Sequence, residues 1–191
     1  MFDFWIASIS SLLLKLYFVP NCFILNTLLF KLIVGFGIST GTSDADLERL
    51  DKIIKRHEPY FICIDVANGF NTNVFLVIKE IRAKYPNLVI MAGNVCNSEG
   101  FNALEELDVD CIRIGIGNGG GCLTTVHTGV GYPMASLIVD TYKVSCTLEH
   151  AAYIVADGGF KKYSDVIKAL ALGADYVMLG SMFNKALESA G

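Results

Sequence analysis

The sequence predicts an α/β fold in which parallel strands curl toward a barrel, incomplete at about six recognisable β/α units, and three observations predict it. From Leu32 onward, short β-branched runs ending in Gly, Asp or Asn alternate with segments of helical period. Most of these runs are continuously apolar, the pattern of parallel strands covered on both faces. Polar or glycine-rich groups follow nearly every run: Ser39-Thr40-Gly41, Asp65, Gly93-Asn94, the loop holding Cys122, Asp157-Gly158-Gly159 and Gly180-Ser181. In an open doubly wound sheet such groups would be strung along an edge, whereas in a barrel they meet at one mouth, where these folds place their chemistry.

In order, the strand candidates are Leu32 to Ile38, Tyr60 to Asp65, Leu88 to Ala92, Cys111 to Ile116, Tyr153 to Ala156 and Tyr176 to Leu179. Behind the first, Ser43-x-x-Asp46 has the form of a capping box, and Leu47, Leu50, Ile53 and Ile54 repeat at helical spacing after it. Val74, Val77, Ile78 and Ile81 make a second core-facing stripe that stops before Pro86. Val166, Ile167 and Leu170 make a later one, closed by Gly173. Ala135 to Glu149 is expected to be helical, its ends blurred by its Thr and Val content.

With 191 residues the chain can bury one good core, though it is shorter than the roughly 250 residues of a full eight-unit barrel. A formal charge of -4 supplies no general basic surface, which argues against a nucleic-acid partner. Six cysteines at irregular spacing, with no C-x-x-C, read as reduced thiols in a cytoplasmic protein rather than a disulfide framework. Residues 1–33 stand apart as an apolar N-terminal segment, with 34–191 as the barrel domain. Phe4 to Leu14 and Leu16 to Phe30 are almost wholly apolar, so the segment reads as core sequence, a membrane anchor or a cleaved leader. Neither run reaches the 18 or so residues of a spanning helix, Pro20, Asn21 and Asn26 interrupt the second, and Asp3 replaces a basic leader start.

The run Gly115-Ile116-Gly117-Asn118-Gly119-Gly120-Gly121-Cys122-Leu123-Thr124-Thr125 sets one thiol on a glycine-rich loop after a strand. Such a loop can turn backbone amides and carbonyls onto an ion or phosphate while presenting the sulfur, which points to a covalent nucleophile. Cys63 and Cys111, inside apolar strands, read as inert small hydrophobes. Gly115-x-Gly117-x-x-Gly120, with Asp140 downstream, matches a dinucleotide fingerprint in letters. Its context fails, because no helix opens directly and the strand is not the first. Cys146 and His150 have zinc-like spacing but lack a second pair, and His127 either touches substrate or faces solvent. Asp157-Gly158-Gly159 followed by Gly180-Ser181 offers a carboxylate for sugar hydroxyls and bare amides for a phosphate.

Read in order, these residues resemble the IMP dehydrogenase and GMP reductase family, the reductase branch most closely. The resemblance is carried by Ser39-Thr40-Gly41-Thr42, Asp65-Val66-Ala67-Asn68-Gly69-Phe70, Met91-Ala92-Gly93-Asn94-Val95, the Cys122 loop, Thr128-Gly129-Val130-Gly131-Tyr132-Pro133, Asp157-Gly158-Gly159 and Val177-Met178-Leu179-Gly180. It implies a (β/α)8 barrel in which Cys122 attacks C2 of the GMP purine, ammonia leaves, and NADPH supplies hydride to give IMP. Thr124 would assist proton transfer to the leaving amine. The resemblance further implies a K+ site from the backbone oxygens of Gly117, Gly119 and Cys122 with Thr125. Asp157 would hold ribose hydroxyls, Gly158, Gly159, Gly180 and Ser181 the phosphate, and Asp65, Val66, Ala67, Ile116 and Gly117 the nicotinamide nucleotide. A homotetramer is implied as well.

The chain departs from the family pattern at Gly120, where a serine is usual, and in its N-terminal segment; the family's mobile flap would lie beyond Gly191. It is therefore expected to be a truncated or misassembled member, turning over GMP at least about a hundredfold more slowly than a complete enzyme. IMP dehydrogenase-type oxidation of IMP and an inactive nucleotide-binding fragment are the alternatives.

Overall fold

The structure is a computed structural model that describes residues 5–8, 15–17 and 37–184. Its strands are β1 (Trp5–Ser8), β2 (Lys15–Tyr17), β3 (Gly37–Thr40), β4 (Phe61–Asp65), β5 (Val89–Val95), β6 (Cys111–Ile114), β7 (Tyr153–Asp157) and β8 (Tyr176–Leu179). Its helices are α1 (Asp44–His57), α2 (Thr72–Lys84), α3 (Ser98–Glu105), α4 (Thr124–Thr128), α5 (Met134–Ser145) and α6 (Tyr163–Ala171). The strands form one sheet in the order β2-β1-β8-β7-β6-β5-β4-β3. From β3 to β8 all neighbours are parallel, so the six expected strands form a curled half-barrel alternating with helices, an incomplete β/α barrel. The apolar N-terminal segment adds β1 and β2, but β1 runs antiparallel to β8 and β2 antiparallel to β1. They extend one end of the sheet rather than joining it to β3. Among the described residues no helix is long and apolar enough to cross a membrane.

Alternation along each strand separates two layers. Ile62, Ile64, Ile90, Ala92, Ile112, Ile114, Ile154, Ala156, Val177 and Leu179 face the helices and make the main core. Val74, Val77, Ile78 and Ile81 of α2 close on that layer, each such side chain contributing about 1.5–3 kcal/mol by leaving water. Cys63, Met91, Val155 and Met178 lie on the opposite, concave face as a second cluster. Arg113, Asp65 and Asp157 have the same parity as these residues and sit at the strands' C-terminal ends.

The capping box forms as read, with Ser43 Oγ accepting from the Asp46 N–H and the Asp46 carboxylate accepting from the Ser43 N–H. Several boundaries differ from the sequence reading. Ser39 and Thr40 are strand residues paired with Cys63 and Ile64, and β5 runs on through Gly93 and Asn94 to Val95. Leu32 to Phe36, the start of the first expected strand, lie outside the described residues. Ile167 is 63% exposed while Ala169 is buried. At 100° per residue Ala169, Val166 and Leu170 together span an arc of about 100°, and Ile167 lies about 60° beyond it on the solvent side.

Candidate active site

Five strand ends and the loops after them enclose a cavity of about 740 Å³, within the size range of small-molecule sites. At its floor the Arg113 guanidinium, on β6, spans two carboxylates. Its Nη1 lies 2.8 Å from Asp65 Oδ1 at the end of β4, and its Nη2 lies 2.7 Å from Asp157 Oδ2 at the end of β7. Nη1 is also 3.3 Å from Cys63 Sγ. Burial works against the charge on Arg113, and its neighbours more than reverse it. Because burial also pushes the Cys63 thiol up to about 11, the reversal at neutral pH falls to the two carboxylates.

Gly93 stands beside Arg113 in the ladder, and a Cβ there would come within 2.5 Å of the Arg113 carbonyl oxygen and 2.6 Å of its Cβ. Glycine is therefore what lets β5 approach the arginine. A register shift between Gly93 and Val95 then re-aims Asn94, as bulges do. The Asn94 Nδ2 donates to Gly115 O and to Asp157 Oδ2, both at 2.7 Å. With two acceptors on that nitrogen the amide orientation is set, and Oδ1 is buried with no hydrogen-bond partner among the described residues.

The Cys122 loop rises over this floor. Gly117 has φ +80°, and a Cβ on it would sit 1.6 Å from Thr125 Oγ1, so only glycine allows Ile116 to Cys122 to fold back over α4. Thr125 Oγ1 donates to Val130 O at 2.7 Å, and the Cys122 N–H donates to Gly119 O at 3.1 Å, which holds the loop together. Gly158 and Gly159, with φ +93° and +87°, carry the next loop beneath it, where a Cβ on Gly158 would lie 2.8 Å from the Gly119 nitrogen. Cys122 is exposed, and its Sγ is 3.3 Å from Thr124 Oγ1. The Thr124 side chain first, then the Thr124 and Gly117 backbone, hold the Cys122 thiol below its ordinary pKa, so it ionises more readily than a free thiol.

One cavity thus brings together Asp65, Val66, Ala67, Ile116, Gly117, Gly119, Cys122, Thr124, Asp157, Gly158, Gly159, Gly180 and Ser181. Of the expected site residues, Thr125 alone is not in the lining; it packs behind Gly117. His127 is exposed and lies outside the cavity. The sequence reading missed Arg113 and did not give Asn94 a role. Arg113 had a signal in the period-two run Ile112-Arg113-Ile114, where a lone charge on one strand face marks the barrel interior.

A family model described as the IMP dehydrogenase / GMP reductase domain matches residues 28–191. Over 155 residues the chain is 41% identical to a GMP reductase of Vibrio atlanticus and 40% identical to GMP reductase 1 of Mus musculus, in each case 81% of this chain and 44% of the relative. It is 40% identical over 160 residues to an inosine-5'-monophosphate dehydrogenase of Borreliella burgdorferi, 83% of this chain and 38% of that protein. The chain spans less than half the length of these relatives.

Proposed function

The chain belongs to the IMP dehydrogenase / GMP reductase family, and on that premise we propose that residues 34–191 carry the catalytic half-barrel of a GMP reductase, an NADPH-dependent oxidoreductase that deaminates GMP to IMP in the cytoplasm. The observation that carries this reading is Cys122, exposed on its glycine loop with Thr124 at 3.3 Å, above a floor that offers Asp157 and two bare glycine loops. A nucleotide fits this arrangement with its ribose on Asp157, its phosphate on the amides around Gly158, Gly159, Gly180 and Ser181, and its purine C2 toward the sulfur.

The Cys122 thiolate adds to C2, Thr124 relays a proton to the exocyclic amine, and the C2–N bond breaks to release ammonia. Asp65, Val66, Ala67, Ile116 and Gly117 would hold NADPH, which would supply the hydride that C2 gains as the S–C2 bond breaks. The enzyme thiolate returns unchanged and the nucleotide leaves as IMP. For a monovalent cation, the carbonyls of Gly117, Gly119 and Cys122 with the Thr125 hydroxyl are neutral hard oxygens. The Thr125 proton is given to Val130 O, which leaves its lone pairs for an ion, so the donor set fits K+. In this reading the ion braces the loop. A homo-oligomer, a tetramer as in the family resemblance, belongs to the same proposal.

Supplying GMP with NADPH, or IMP with NAD, and following nicotinamide absorbance and ammonia tests it. NADPH oxidation matched by equimolar ammonia is expected. IMP-dependent NAD reduction would assign the dehydrogenase direction instead, and binding without turnover a nucleotide-binding half-barrel.

A further inference from the structure

We propose that Arg113 is a positioning residue that, with Asn94, presents Asp157 to the ligand's ribose hydroxyls and ties that carboxylate to Asp65 on the cofactor side. The inference rests on the reading of Asp157 as the ribose site and names what makes that site selective.

Three features of the floor carry it. Each carboxylate gives one oxygen to the guanidinium, Asp65 through Oδ1 and Asp157 through Oδ2. Asp157 Oδ2 is held from two directions, by Arg113 Nη2 and by Asn94 Nδ2, so the carboxylate plane is fixed with Oδ1 left to accept. Among the described residues of the floor one guanidinium faces two carboxylates, and Asn94 Oδ1 is an acceptor without a partner among those residues. Such a floor accepts neutral hydroxyl donors and repels a phosphate, which is directed to the glycine loops instead. Arg113 is only 4% exposed, whereas the Asp157 side chain is 21% exposed, so the arginine acts through the carboxylate and not on the ligand.

The test compares calorimetric binding of GMP, 2'-deoxy-GMP and guanosine to the full chain. The wild type is expected to prefer GMP over its deoxy analogue about tenfold, the worth of one charge-assisted hydrogen bond. Arg113→Met should cut that preference to less than about threefold while the GMP-to-guanosine ratio, which reads the phosphate, stays within about twofold. Arg113→Lys keeps a buried cation beside both carboxylates and should restore the preference. Removing the arginine leaves two carboxylates uncompensated and can prevent folding. Asn94→Ala removes a donor to Asp157 without unpairing a charge, and should lower the deoxy preference about threefold with the phosphate ratio again unchanged.

Equal loss of both ratios in these variants, an unchanged deoxy preference, or no rescue by lysine would overturn the positioning role and leave the proposed function standing. A wild type that binds GMP and 2'-deoxy-GMP alike would overturn the ribose role of Asp157 and this inference with it. Failure of the wild type to bind GMP would overturn the functional reading as well.

Discussion

Cys63 and Cys122 place the same thiol in opposite settings. Cys63, on β4, is 3% exposed, and burial pushes it up to about 11 even with the Arg113 guanidinium beside it. Cys122 is exposed just ahead of α4, where the Thr124 hydroxyl and backbone N–H hold it below the ordinary thiol value. The cysteine next to the buried cation is thus the inert one. At Cys63 desolvation outweighs one charge that two carboxylates already share, whereas at Cys122 the Thr124 hydroxyl and backbone amides outweigh the smaller opposing effect of burial. Reactivity in this chain is a property of how the backbone turns at Gly117.

The largest expected consequence is kinetic. At pH 8 a thiol titrating near 11 is ionised to about one part in a thousand, so iodoacetamide should label Cys122 more than about a hundredfold faster than Cys63 in the native chain. The ratio should approach one in urea. The Cys122 rate should rise with a midpoint below the ordinary thiol value of 9.0; a midpoint at or above it would break the comparison.

Cys63 should in turn make the fold sensitive to alkali. Its folded pKa is raised above the unfolded one, so its contribution is complete below about pH 9 and is lost as pH climbs through about 11, when the unfolded chain has already released the proton. A two-unit shift amounts to about 2–3 kcal/mol. Unfolding free energies from urea titrations at pH 8.5 and 11 should therefore differ more in the wild type than in Cys63→Val by about that amount.

Gly117→Ala aims at the other half of the contrast. Its methyl would collide with Thr125 Oγ1 at a backbone angle alanine resists, so the loop must shift, and Cys122 labelling at pH 8 is expected to fall about tenfold while α1 and α2 keep their far-UV dichroism. A smaller effect is expected at Gly120, where a Cβ meets nothing within 4 Å. Gly120→Ser should tighten GMP by about 0.5–1.5 kcal/mol and leave guanosine unaffected. Equal gains for both would mean a stiffer loop and no phosphate contact.

The sequence made the loops more legible than the strands. Glycines at Gly117, Gly158 and Gly159 announce backbone turns whatever surrounds them, and the Ser43 and Asp46 box is a local exchange of hydrogen bonds. The α3 helix was not marked because it is short and carries Gly100, which is there because a Cβ would reach within 3.0 Å of Val95. Arg113 and Asn94 depend on which strand face lines the cavity, and at Asn94 a bulge overrides simple alternation. The antiparallel pairing of β1 on β8 depends on partners distant in sequence, which no local pattern encodes.

The central claim is that Cys122 is the nucleophile inside a nucleotide site, and peptide mapping after limited iodoacetamide treatment, with and without GMP, tests it most directly. Cys146 is the internal reference, since it too is exposed but lies outside the cavity. The account predicts that Cys122 is labelled first and that GMP shields it while leaving Cys146 unchanged. Equal labelling of the two cysteines with no shielding by the nucleotide would contradict it.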